Sequence, residues 1–117
     1  MIFVNTSSAS NKSKSLIEIM YMDIQKITTM DGMFGFCENL IEVNSSNWNT
    51  SNVTDMRNMF ADCWSLNQIR IPKNISSSTN ITDITVGRFA GSDGNAYPAG
   101  TFPKGNSTSI TLTAEPA

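Results

Sequence analysis

Residues 47–69 read Asn-Trp-Asn-Thr-Ser-Asn-Val-Thr-Asp-Met-Arg-Asn-Met-Phe-Ala-Asp-Cys-Trp-Ser-Leu-Asn-Gln-Ile, and much of this stretch has already occurred once in the chain. Laid over residues 27–43, Val53 falls on Ile27, Thr54 on Thr28, Met56 on Met30 and Met59-Phe60 on Met33-Phe34. Cys63 then falls on Cys37, Leu66 on Leu40 and Ile69 on Val43, all at one offset, 53 − 27 = 26. A constant period in the twenties that keeps apolar and small residues in register is the mark of stacked repeats. Such architectures present surfaces to partners and seldom carry chemistry in so few units.

Within each unit two periodicities alternate. Met30, Met33, Phe34 and Cys37 fall at i, i+3, i+4 and i+7, as do Met56, Met59, Phe60 and Cys63, a spacing that predicts one face of a short helix. Thr28, Thr54 and Asp55 stand where such helices would be capped. Alternating apolar residues over 40–43 and 66–71 predict short strands, the second ended by Pro72. The expected fold class is α/β, a short leucine-rich-repeat-type solenoid of helix–turn–strand units stacked in a parallel sheet. The expected core is Met30, Met33, Phe34, Cys37, Leu40, Trp48, Met56, Met59, Phe60, Cys63 and Leu66, with Trp48 plugging the inter-unit loop.

Regularity is weaker at both ends. Residues 1–14 are polar after Val4 and are expected to form an arm or edge strand. Residues 15–80 hold the repeat-like units, with 16–19 ending a partial earlier one. Residues 81–117 are expected to form an irregular, β-rich cap or docking tail. There Ile81-Thr82-Asp83-Ile84 imitates Val53-Thr54-Asp55-Met56 without its Met-Phe pair, residues 91–105 predict a loop, and 109–113 predict a closing strand.

The chain has 117 residues, enough for one domain, and a formal net charge of −2. Only 15% of residues are charged, and no basic stripe is available for a phosphate backbone, which argues against nucleic acid as a partner. No apolar run approaches the ~20 residues of a membrane span. The N-terminal sequence has neither the basic region nor the long apolar core of a signal peptide, so the expectation is either a signal upstream of these residues or a protein that is not exported by that route.

Histidine is absent, which removes the commonest general base and metal ligand. Cys37 and Cys63 are the only thiols. Units set roughly 8–10 Å apart exceed the ~7 Å Cα limit of a disulfide, so both are expected to be reduced core residues. The methionines are expected to be packing residues, and Asp93-Gly94-Asn95 lacks the acid spacing of a calcium loop. No nucleophile–base pair or metal cluster is evident, so neither an enzymatic activity nor a cofactor is expected.

The run from Trp48 to Met56, followed by Met59-Phe60, Cys63 and Leu66, resembles the repeat of the BspA-like leucine-rich-repeat surface proteins, many of them from host-associated bacteria. The resemblance is close over 47–69 and good over 27–43. It implies a non-enzymatic module, extracellular or at the cell surface, that binds a protein or glycan. The alternative expectation is a structural subunit of a larger assembly, such as a bacteriophage decoration or fibre protein located in the virion. Two to three small repeats leave core ends to be covered, so an oligomer or complex is expected under either reading. Positions that differ between the units are the candidate partner contacts: Trp64 against Glu38, Arg57 against Asp31, and Asn67-Gln68 against Ile41-Glu42.

Overall fold

Residues 30–37 have the apolar spacing of a helix but not its backbone. In the computed structural model, which describes residues 16–17 and 27–116, this segment is a staircase of tight turns. The amide of Met33 donates to the Met30 carbonyl (3.1 Å), Gly35 to Gly32 (2.9 Å) and Cys37 to Phe34 (3.2 Å). These are three-residue closures, not the four-residue closures of an α-helix. The second segment repeats them, with Met59 donating to Met56, Ala61 to Asn58 and Cys63 to Phe60. Gly32, Phe36, Asn58 and Asp62 have φ of 67°, 64°, 57° and 57°, left-handed values foreign to a right-handed helix.

The remaining amides explain why turns win. Those of Met30, Gly32, Phe34 and Phe36 donate to the carbonyls of Asp55, Arg57, Met59 and Ala61 in the next segment. Alternate N–H groups therefore stitch neighbouring segments together while the intervening ones close turns. A helix would satisfy its backbone internally and leave no such stitches. Gly32 and Asn58, at equivalent positions, are residue types that tolerate left-handed backbone.

A third segment extends the ladder. Met56 donates to Asn80 (2.8 Å), Asn58 to Thr82 (3.1 Å) and Phe60 to Ile84 (2.9 Å). Asp55 bridges Thr29 at an offset of 55 − 29 = 26 and Asn80 at 80 − 55 = 25. This register sets Ile81 beside Met56 and Ile84 beside Met59, whereas matching 81–84 to 53–56 by residue type is out by three positions. At all three bridge positions the side-chain oxygen accepts the amide two residues on. Thr29 takes Asp31, Asp55 takes Arg57 and Asn80 takes Thr82. These are turn locks, not the expected helix caps.

The strands are β1 (Leu16–Ile17), β2 (Glu42–Asn44), β3 (Gln68–Ile71), β4 (Phe89–Gly91), β5 (Ala96–Tyr97) and β6 (Ile110–Ala114), in sheet order β1-β2-β3-β6-β4-β5. Strands β1 to β3 pair in parallel, Leu16 with Glu42 and Glu42 with Gln68, again 26 apart. Strand β6 closes on β3 antiparallel, with Ile69 opposite Leu112, and β4 pairs antiparallel with both β6 and β5. The fold is therefore a small mixed sheet beside a turn ladder, not an α/β helix–turn–strand solenoid of leucine-rich-repeat type. No helix occurs among the described residues. The expected arm at 1–14 lies outside the described residues, and the expected loop at 91–105 contains β5.

Every residue named as core from the sequence is buried, together with Val43, Val53, Ile69, Ile71, Ile75, Ile84, Phe89, Phe102, Ile110 and Leu112. The repeat offset stacks rings. Phe34 lies on Phe60 with centroids 5.4 Å apart and planes 4° apart, and Trp48 flanks Phe34 at 6.5 Å. The third segment has Thr85 at the next position of this column. The ring there comes from the tail: Phe102 lies 6.3 Å from Phe60, and Thr85 Oγ1 accepts the Gly100 amide at 3.0 Å. Each such ring pair contributes about 0.5–1.5 kcal/mol beyond its buried area.

Candidate functional site

The third segment leaves the ladder after Thr85, and a groove opens where a third copy of the Cys37–Leu40 corner would have packed. Cys63 and Leu66 form its floor, Trp64 one wall and the Val86–Arg88 stretch the other, with Glu115 at the rim; its volume is about 170 Å³. Arg88 Nε donates to Glu115 Oε2 at 2.6 Å, and the Glu115 amide donates to the Arg88 carbonyl at 2.9 Å. Two bonds therefore tie the chain just after β6 to this wall. Both side chains stay partly exposed, so the guanidinium retains N–H groups, and the carboxylate lone pairs, for another molecule.

Trp64 is 69% exposed, and Phe36 is 66% exposed. The Phe36 amide donates to Ala61, which sets Phe36 opposite Asp62, two residues before Trp64. Phe36 carries two costs at once: its ring stays in water, and a bulky side chain occupies φ 64°. Left-handed backbone costs an ordinary L-residue roughly 1–2 kcal/mol. A strained, exposed aromatic gains nothing for the fold, and such positions concentrate at functional surfaces.

Of the contact candidates read from the sequence, Trp64 alone is among the described residues lining this groove. Arg57 is exposed and engaged with Asp55, Nε to Oδ1 at 3.0 Å and Nη2 to Oδ2 at 2.8 Å. Those bonds hold the Asp55 carboxyl below its ordinary range. Glu38 is exposed on the first segment. Asn67 is tied through its backbone to Ile41 and Ala114, and Gln68 opens β3 half-buried. Sequence reasoning missed Phe36, Arg88 and Glu115. One signal was legible: Phe36 aligns with Asp62, and an equivalent position that accepts an acid is not a core position.

Reactive chemistry at the groove is muted. Burial, with Cys37 nearby, pushes the Cys63 thiol up to about 12, and its Sγ–H donates to the Phe34 carbonyl. A thiol held neutral is a poor nucleophile and metal ligand. Elsewhere the Asp93 carboxylate accepts Tyr97 Oη–H at 2.6 Å and the Asn95 side-chain and backbone N–H groups, chiefly the first of which lowers its pKa. These bonds close the β4–β5 turn. No group of three or more His, Cys, Asp or Glu positioned to hold a metal occurs among the described residues.

Residues 4–87 match the family described as Mycoplasma protein of unknown function, DUF285. The chain belongs to that family. The DUF285 match takes in all three turn segments and ends at Gly87, within the groove wall. Strands β4 to β6 and Glu115 lie beyond it. No curated protein and no solved structure matches the chain. No helix among the described residues is long and apolar enough to cross a membrane.

Proposed function

We infer that this DUF285 chain is a non-enzymatic interaction module of an adhesive, BspA-like surface protein, binding a host protein or glycan through its turn segments. The observation that carries this reading is the pair of large aromatics kept in water on adjacent turns, Phe36 and Trp64. Large aromatic side chains left in water are surface that a partner can bury, and Trp is among the residues most enriched at binding hot spots. The backbone strain at Phe36 adds weight, because the fold gains nothing from a ring there.

Beads coated with the protein and applied to a cultured epithelial monolayer test the reading. Wild-type beads are expected to adhere above uncoated ones, and Trp64→Ala and Phe36→Gly each to lower adhesion several-fold. Phe36→Gly is also expected to stabilise the fold by about 1 kcal/mol of relieved strain, read as a higher urea midpoint. That rise separates lost contact from lost fold. Adhesion of the double variant equal to wild type would remove the reading.

A further inference from the structure

We propose that the Trp64–Arg88–Glu115 groove binds one unit of a neutral sugar whose hydroxyls are equatorial, such as β-linked glucose or N-acetylglucosamine. The proposal rests on the interaction-module reading and names its ligand class.

Three features converge on that class. The first is shape. At about 170 Å³ the groove is smaller than the roughly 300–1,000 Å³ of pockets that enclose drug-sized molecules. It suits a single ring lying partly in and partly out. The second is the platform. Trp64 offers an exposed indole, and a pyranose with equatorial hydroxyls presents a flat face of axial C–H groups that covers such a surface. The third is the rim. Sugar hydroxyls each donate and accept, and Arg88 and Glu115 supply fixed donors and fixed acceptors side by side. Because these two form an ion pair, they offer no net charge to a sulfated or sialylated chain. An apolar peptide side chain would use the indole but leave both polar rim groups without new partners, and desolvating those groups unmatched is costly.

The groove also has a reason to be rigid. Phe60, Leu66 and Phe89 beneath it are core residues, and the Arg88–Glu115 pair is braced by the backbone bond between the same two residues. A sugar meets a preformed surface, which lowers the ordering cost of binding.

The test is titration of the full chain with cellohexaose and with chitohexaose, following acrylamide quenching of tryptophan fluorescence. Trp48 is 8% exposed and Trp64 69%, so the quenchable signal reports Trp64. Saturable protection is expected, with Kd on the order of 1 mM per site. Trp64→Ala removes the reporter itself, so its binding is followed by titration calorimetry, where the heat seen with wild type should vanish. Arg88→Ala should weaken binding roughly tenfold in the quenching assay, with the fold of both variants intact by circular dichroism. A heparin hexasaccharide should give no protection. The proposal is overturned if neither neutral oligosaccharide protects at about ten times that concentration, or if Arg88→Ala binds as wild type. The bead assay separates the two readings. If sugars fail while Trp64→Ala beads still lose adhesion, the module reading stands and a protein partner replaces the sugar. If sugars bind while Trp64→Ala beads adhere normally, the sugar site stands and its part in adhesion falls.

Discussion

The second and third turn segments do the same backbone work with different side chains. Both hang on the ladder, the second through alternate amides and the third through the Asn80, Thr82 and Ile84 carbonyls that accept them, and Asp55 and Asn80 lock their entry turns in the same way. The second supplies its own ring, Phe60, its own thiol, Cys63, and a following strand in register with the one before. The third supplies Thr85 where a ring would be and takes Phe102 from the tail instead. It then departs from the ladder where a third thiol would stand, and Arg88 faces solvent at the corresponding offset. A backbone ladder can thus outlast the side-chain repeat that announces it. The mismatch at its last unit is what opens the groove.

Ring replacement should show the contrast most strongly. Phe60 has ring neighbours on both sides, so Phe60→Ala is expected to cost about 3–5 kcal/mol in a urea melt. Phe102→Ala, at the end of the column, should cost near the lower limit of that range. Equal losses would mean that the borrowed ring is as integral as the native one. Thr85→Val keeps the shape but strands the Gly100 amide, with an expected loss of about 1–3 kcal/mol. If that variant melts with wild type, the Thr85–Gly100 bond contributes nothing to holding the tail.

The smallest effect at neutral pH is the thiol that only the first two segments possess. A thiol raised to about 12 in the folded state keeps its proton, whereas the unfolded chain releases it from about 8.5 upward. The contribution is therefore complete below that value and lost as pH rises toward the folded one. Urea midpoints should decline across this alkaline window in wild type and more shallowly in Cys63→Ala. Identical slopes would show that the Cys63 thiol is not what the core protects.

Much of the burial was legible in the sequence, because the offset of 26 superposes Phe34 on Phe60, Cys37 on Cys63 and Val43 on Ile69 whatever the local backbone. The backbone itself is not legible in that spacing. Turns closing every second residue return apolar side chains to one side at i, i+3, i+4 and i+7, the same spacing a helix uses. Gly32 and Asn58 at equivalent positions were the available warning, since two residues that tolerate positive φ recurring inside a helical pattern argue for turns. The third segment was hidden by its one-residue shortening and by Thr85. The exposure of Trp64 could be read because its counterpart is Glu38. The groove could not, because Arg88 and Glu115 lie 27 residues apart (115 − 88) and meet only through β6.

The borrowed ring also orders events in time. Phe60 and Phe102 are separated by 42 residues (102 − 60), while Phe34 and Phe60 are separated by 26. On the ribosome the first two rings can stack while the third layer's ring is still unmade. The nascent chain must therefore keep one side of Phe60 bare until residue 102 emerges. Closure of that long loop is slower than the local turn-making that precedes it. Premature release just after the third turn segment would leave a chain that is stacked, hydrogen-bonded and still sticky at one end.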